Sequence, residues 1–105
     1  MSAKSVNDQN FQSEVLDSST PGLVDFWAPW CGPCRIMVPL VDELAGEVGD
    51  RAKVVKVNID EAKETAAKFG IQSIPTFAVI KDGKVEQQFG GIQPKEALRE
   101  ALAAA

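Results

Sequence analysis

The sequence predicts an α/β domain built around a mixed sheet. Two observations carry that prediction. Short apolar segments alternate with stretches of helical periodicity, and helices that cross between strands leave those strands parallel. Further along, two strand-like segments are separated only by Asp82-Gly83, which suits a two-residue hairpin and adds an antiparallel part. The resulting element order is (β)αβαβαββα.

Each element has its own signal. Asn7 or Asp8 can cap a first helix that turns Phe11, Val15 and Leu16 inward. Thr20-Pro21-Gly22 then breaks the chain. Residues 23–28 read as a buried strand, apolar on both alternating faces except at Asp25. After Pro33 an apolar stripe of Met37, Leu40, Val41, Leu44 and Val48 has helical spacing. Pro39 lies inside this helix, where a kink is expected. Residues 53–59 read as a second buried strand. Asp60 is placed to cap a helix running through Phe69, with Gly70 as its stop. Residues 76–81 and 84–89 form the hairpin strands. Pro94 opens a last helix that buries Leu98 and Leu102.

The only two cysteines stand three positions apart in Trp30-Cys31-Gly32-Pro33-Cys34-Arg35, where the first buried strand gives way to the long helix. That setting is characteristic of thiol–disulfide exchange. Cys31 falls at or just before the first turn, and Pro33 suits a position where a missing N–H costs nothing. Unpaired N–H groups and the dipole at a helix start stabilise an anion. The thiolate is the reactive form, so a cysteine placed there is acidified and nucleophilic. Cys34, one turn deeper on the same face, is within disulfide reach.

Three other readings compete. A structural disulfide closing so short a loop removes little unfolded-state entropy. Zinc usually takes four ligands, and the chain has no histidine and no third cysteine. Two unpaired core cysteines are also compatible with composition, since free cysteine is often buried. The strand–helix setting favours redox chemistry over all three.

The whole chain sets bounds. Its 105 residues are expected to form one domain, 1–105. That length buries roughly two thirds of the unfolded surface, enough for a core without staples. The net charge is −4 with acids and bases interspersed, and no basic patch carries interleaved aromatics, so nucleic acid is not expected as a ligand. No apolar run approaches membrane-spanning length. Residues 1–10 are polar and lack a signal-peptide apolar region. An intracellular setting is expected: the cytoplasm, or the plastid stroma after removal of a transit peptide. There a close cysteine pair is usually catalytic.

The element order and the string Val24-Asp25-Phe26-Trp27-Ala28-Pro29-Trp30-Cys31-Gly32-Pro33-Cys34 closely resemble the thioredoxin family. The resemblance extends through Lys56-Val57-Asn58-Ile59-Asp60, Ile74-Pro75-Thr76, Asp82-Gly83 and Gly91, with bacterial and plastid m-type members the most similar. Thioredoxins are themselves a standard illustration of acidified cysteines and redox poise. Three positions depart from the family pattern. Gly22 and Gly90 stand where apolar residues are usual, and Ile92 where a small residue is.

The resemblance implies a central mixed five-stranded sheet flanked by four helices. It implies Cys31 as nucleophile and Cys34 as resolving cysteine, with Gly32 and Pro33 setting the geometry of the pair. Asp25 is implied to accept a proton from the second cysteine through water. Its competing reading is an edge residue facing water, which Val24, Phe26 and Trp27 around it weaken. Lys56 is either a partner that tunes Asp25 or a snorkelling surface lysine. Pro75 is implied to be cis and to lie against the cysteine pair. Trp30, Ile74, Gly91 and Ile92 form the implied substrate-binding rim, although Ile74 and Ile92 alone would read as core. Trp27 reads as packing beneath the site. Asp42, Glu43 and Glu47 read as a solvated helix face.

The function expected is protein disulfide reduction by a monomer that needs no cofactor of its own. Its electron donor would be a thioredoxin reductase, flavin-containing and NADPH-linked or ferredoxin-linked. Its substrates would be disulfide-containing proteins. The rival is a binding module or chaperone that uses the apolar rim, with the cysteines incidental.

Overall fold

The computed structural model describes residues 2–105. In chain order the elements are β1 (Lys4–Val6), α1 (Gln12–Leu16), β2 (Gly22–Trp27), α2 (Gly32–Val48), β3 (Lys53–Asn58), α3 (Lys63–Lys68), β4 (Thr76–Lys81), β5 (Lys84–Gly90) and α4 (Lys95–Ala103). A short 3₁₀ turn, Gly49–Arg51, closes α2. The strands form one mixed five-stranded sheet in the order β1-β3-β2-β4-β5. β1, β3 and β2 are parallel, β4 runs antiparallel to β2, and β5 runs antiparallel to β4.

Strand alternation divides the core into two layers. On one face Leu23, Val54, Phe77 and Val79 meet Met37, Val41 and Leu44 of α2 and Leu98 and Leu102 of α4. On the other, Val24, Phe26, Val55, Val57, Ala78 and Ile80 meet Phe11 and Val15 near α1, together with Ala62 and Phe69, which flank α3. At the hairpin Asp82 has φ 53° and Gly83 φ 76°, the paired positive values of a type I′ turn. The pairing shifts between Val79, opposite Gln87, and Ile80, opposite Val85, so Glu86 is the extra residue of a bulge.

Element ends differ from expectation for local reasons. Ala28 leaves β2 because its carbonyl accepts the Cys31 N–H at 3.1 Å, starting the turn into α2. β3 ends at Asn58, whose carbonyl turns to accept the N–H groups of Glu61 and Ala62. Gly90 stays in β5, opposite Thr76. α2 is continuous through Pro39, which sits on the exposed side, where water can satisfy the carbonyl its ring leaves without a donor. Pro94 precedes α4 as its N-cap residue and is not the first helical residue.

The capping scheme is also different. α1 is a five-residue π-helical segment, and the turn before it is held by Asn7, whose Oδ1 accepts from the Gln9 N–H at 2.9 Å and the Asn10 N–H at 3.3 Å. Asp8 does not serve α1. Its carboxylate accepts from Glu64 N at 3.3 Å, Thr65 N at 2.8 Å and Thr65 Oγ1 at 2.6 Å, so it caps α3 from across the fold. Asp60 does not cap α3, which starts at Lys63 after Ala62, a residue with no side-chain acceptor. Among the described residues, no helix is long and apolar enough to cross a membrane.

Candidate active site

The cysteines lie where β2 delivers the chain into α2. Cys31 is the N-cap residue of this 17-residue helix, with φ −90° and ψ 112°. Its Sγ accepts the Cys34 N–H at 3.2 Å, as a serine or aspartate oxygen would at an ordinary cap. Pro33 falls in the first turn, where its missing N–H leaves no bond unmade. Cys31 and Cys34 form a disulfide, with Cα atoms 5.2 Å apart. Cys31 keeps 6% of its surface exposed and Cys34 none. Once the bond is reduced, negative charge on Cys31 Sγ would face the positive end of the α2 dipole and the Cys34 N–H. The Arg35 guanidinium donates to the Pro29 carbonyl at 3.2 Å, folding back over the turn.

Two further loops reach this point. The Ile74 carbonyl oxygen lies 3.8 Å from Cys31 Sγ. The Ile74–Pro75 peptide bond is cis. The Pro75 carbonyl accepts the Gly91 N–H at 2.8 Å, which ties the β5–α4 turn to the α3–β4 loop. Gly91 has φ 82°, a conformation glycine adopts at no steric cost. Ala28, Cys31 and Cys34 pack as one cluster with Trp27, Ile59 and Ile74 against it. Trp27 thus lies beside the disulfide, half-buried, with Lys56 Nζ 5.5 Å from its ring centroid.

The outer surface here is apolar. Trp30 is 65% exposed and Ile92 52%, Gly91 is exposed, and Ile74 is half-buried. Trp30 is held in place, because its Nε1–H donates to Asp60 Oδ2 at 2.8 Å. Ile36, on the solvent side of α2 one turn past Pro33, is also exposed and lies outside the predicted stripe.

Asp25 is fully buried in β2, opposite Lys56 of β3 and Phe77 of β4. That pairing puts it on the sheet face covered by α2. Among the described residues neither carboxylate oxygen has a hydrogen-bond partner. Burial pushes its pKa up to about 7; Lys56 opposes the shift and Asp42 adds to it. Asp42 is therefore not simply a solvated acid: it is half-buried and accepts the Ala3 N–H at 2.9 Å. Glu43 and Glu47 do face solvent, paired there with Lys95 and, for Glu47, Arg99.

Two contacts in this region go beyond what the sequence predicts. Asp60, a helix-cap candidate by sequence, instead holds Trp30. Asn58 has no predicted role, yet its Oδ1 accepts the Asp60 N–H at 2.9 Å. An Asn at the end of a strand, leading into a turn, is an Asx-turn signature that points to the second contact. Among the described residues no group of three or more His, Cys, Asp or Glu side chains is placed to hold a metal ion.

Comparison with known proteins agrees with this geometry. The family model described as Thioredoxin matches residues 2–104. Thioredoxin M-type, chloroplastic, of Chlamydomonas reinhardtii is 54% identical over 96 residues, covering 91% of this chain and 69% of that protein. Thioredoxin 1 of Synechococcus elongatus is 52% identical over 100 residues, covering 95% and 94%. Thioredoxin of Bacillus subtilis is 48% identical over 102 residues, covering 97% and 96%. Likeness of this extent, with the cysteine pair joined as a disulfide at the head of α2, shows that the chain belongs to the thioredoxin family of thiol–disulfide oxidoreductases.

Proposed function

We propose that the chain works as one domain that reduces disulfides in other proteins, with Cys31 attacking and Cys34 resolving. The observation that carries the assignment is the asymmetry of the pair. Cys31 Sγ sits at the helix cap with a backbone N–H donated to it and some surface open, while Cys34 is wholly enclosed. The Cys31 thiolate attacks one sulfur of the target disulfide, and the other target sulfur leaves as a thiolate. Cys34 gives up its proton and attacks Cys31 Sγ, releasing the second target thiolate and closing the internal disulfide. Two electrons pass to the target.

Asp25 accepts the proton from Cys34 through water. A carboxylate with a pKa near 7 can both take and return a proton at neutral pH. Lys56 tunes Asp25 by its positive charge. Pro33 and Gly32 set the reach between the sulfurs. Pro75 and Ile74 offer a backbone edge to an extended target peptide, in the manner of strand addition. Trp30, Gly91 and Ile92 give that peptide an apolar rim. The oxidised pair is reset by a thioredoxin reductase, NADPH-linked through a flavin or ferredoxin-linked. The protein acts as a monomer in the cytoplasm, or in the plastid stroma.

In the reduced protein Cys31 is expected to react with iodoacetamide much faster than Cys34. Cys31→Ser is expected to abolish dithiol-driven insulin reduction, and Cys34→Ser to accumulate mixed disulfides. Equal alkylation rates at the two positions would remove the basis of the assignment. Supplying each reductase type in turn and following disulfide reduction identifies the donor.

A further inference from the structure

We propose that Asn58 is a positioning residue for target docking, acting on Trp30 through Asp60. The inference rests on the reading of Trp30 as part of the target-binding rim. Trp30 is 65% exposed, so most of its surface lacks the packing that fixes a core side chain's rotamer. A hydrogen bond can supply that order, and the Asp60 carboxylate accepts the Nε1–H at 2.8 Å. Asp60 is itself exposed and lies in a turn, outside any strand or helix. Its place is set by Asn58. The Asn58 side chain accepts the Asp60 N–H at 2.9 Å. The Asn58 carbonyl accepts Glu61 N at 3.0 Å and Ala62 N at 2.9 Å. The next residue, Ile59, donates its N–H to the Trp27 carbonyl at 2.9 Å, anchoring the turn to the end of β2. Asn58 is half-buried at the end of β3, opposite Trp27, so it is the fixed point from which the turn projects.

Only an acceptor at this position, two residues before the N–H it receives, makes the link. Asn58→Asp keeps it and Asn58→Ala removes it. A docking indole left to rotate must be ordered by the target at each encounter, which weakens binding without altering the sulfur chemistry. Asn58→Ala is expected to raise KM for a protein disulfide about fivefold, with kcat little changed. Asn58→Asp is expected to restore KM. The indole N–H resonance of Trp30 should move in Asn58→Ala toward its position in Asp60→Ala, and stay in place in Asn58→Asp. Trp30→Ala is the control for the underlying reading. An unchanged KM in Trp30→Ala would overturn the docking role of Trp30. A raised KM in Trp30→Ala, with KM and the indole resonance unmoved in Asn58→Ala, would overturn the role of Asn58 alone.

Discussion

Asp25 shows how much one residue can carry. A carboxyl group in an apolar strand is costly to ionise, and burial pushes its pKa from 3.8 to about 7. The sign of the effect on stability follows directly. Below about pH 4 the folded and unfolded states both hold the proton, and burial carries no ionisation penalty. Between about pH 4 and pH 7 the unfolded state has lost the proton and the folded state keeps it, so stability falls as pH rises. Above the folded pKa the loss is complete, on the order of 4 kcal/mol. Asp25→Ala is expected to flatten this slope. It should be more stable than the parent at pH 8, nearly equal at pH 4, and slower in disulfide exchange. Urea denaturation at both pH values checks the stability, and equal stability at pH 8 would rule the penalty out. The burial of Asp25 was legible in the sequence because a lone charge among Val24, Phe26 and Trp27 has no obvious route to water. The contact of Asp60 with Trp30 was not. An aspartate ahead of a helical stretch looks the same in sequence whether it caps that helix or turns away to another loop.

At the scale of elements, legibility followed how local each cause was. The Asp82-Gly83 hairpin depends on two adjacent backbone conformations and was readable. The start of α2 depends on the sequence around Pro33 and was readable too. The capping of α3 was not, because its acceptor comes from Asp8, far away in the chain. Nor was the π-helical winding of α1, since an inward stripe of Phe11 and Val15 does not specify which carbonyl each N–H meets. The Asp8 link makes α3 depend on the loop after β1. Its carboxyl pKa is lowered, first by the Thr65 hydroxyl and then by the backbone N–H groups, against the opposing effect of desolvation. A depressed carboxylate stabilises above its unfolded pKa and loses that contribution as pH falls through the folded value. Asp8→Ala is expected to lower Tm by about 5 °C at pH 7, with a smaller difference below pH 4. Asp8→Asn, which keeps one acceptor oxygen, should lose less. Faster amide exchange at Glu64 and Thr65 in Asp8→Ala would locate the effect at the α3 terminus. Uniform acceleration across the chain would instead indicate a general loss of stability.

Across the whole molecule the site exists because the mixed sheet brings distant segments to one end. β2 runs toward α2 and ends beside the start of β4, its antiparallel neighbour, so the Cys31 turn and the Ile74–Pro75 loop meet. β5 returns along β4 and hands Gly91 to the Pro75 carbonyl. The cysteine pair was legible as a motif, but an exposed Ile92 was not distinguishable from a core isoleucine by spacing alone. Exposure at this position results from the turn at Gly91, which carries the chain off the end of β5 before α4 begins. If Ile92 belongs to a rim that binds proteins, a polar change there should be felt only by substrates large enough to reach it. Ile92→Ser is expected to raise KM for insulin roughly three- to tenfold, the loss that follows from uncovering one aliphatic side chain in an interface. A small aromatic disulfide that touches only the sulfurs should be reduced at the parental rate. The side chain is already half in water, so Tm should move little. Comparing the two substrates separates docking from chemistry: equal losses on both would place Ile92 in the sulfur chemistry, and no loss on insulin would remove it from the rim.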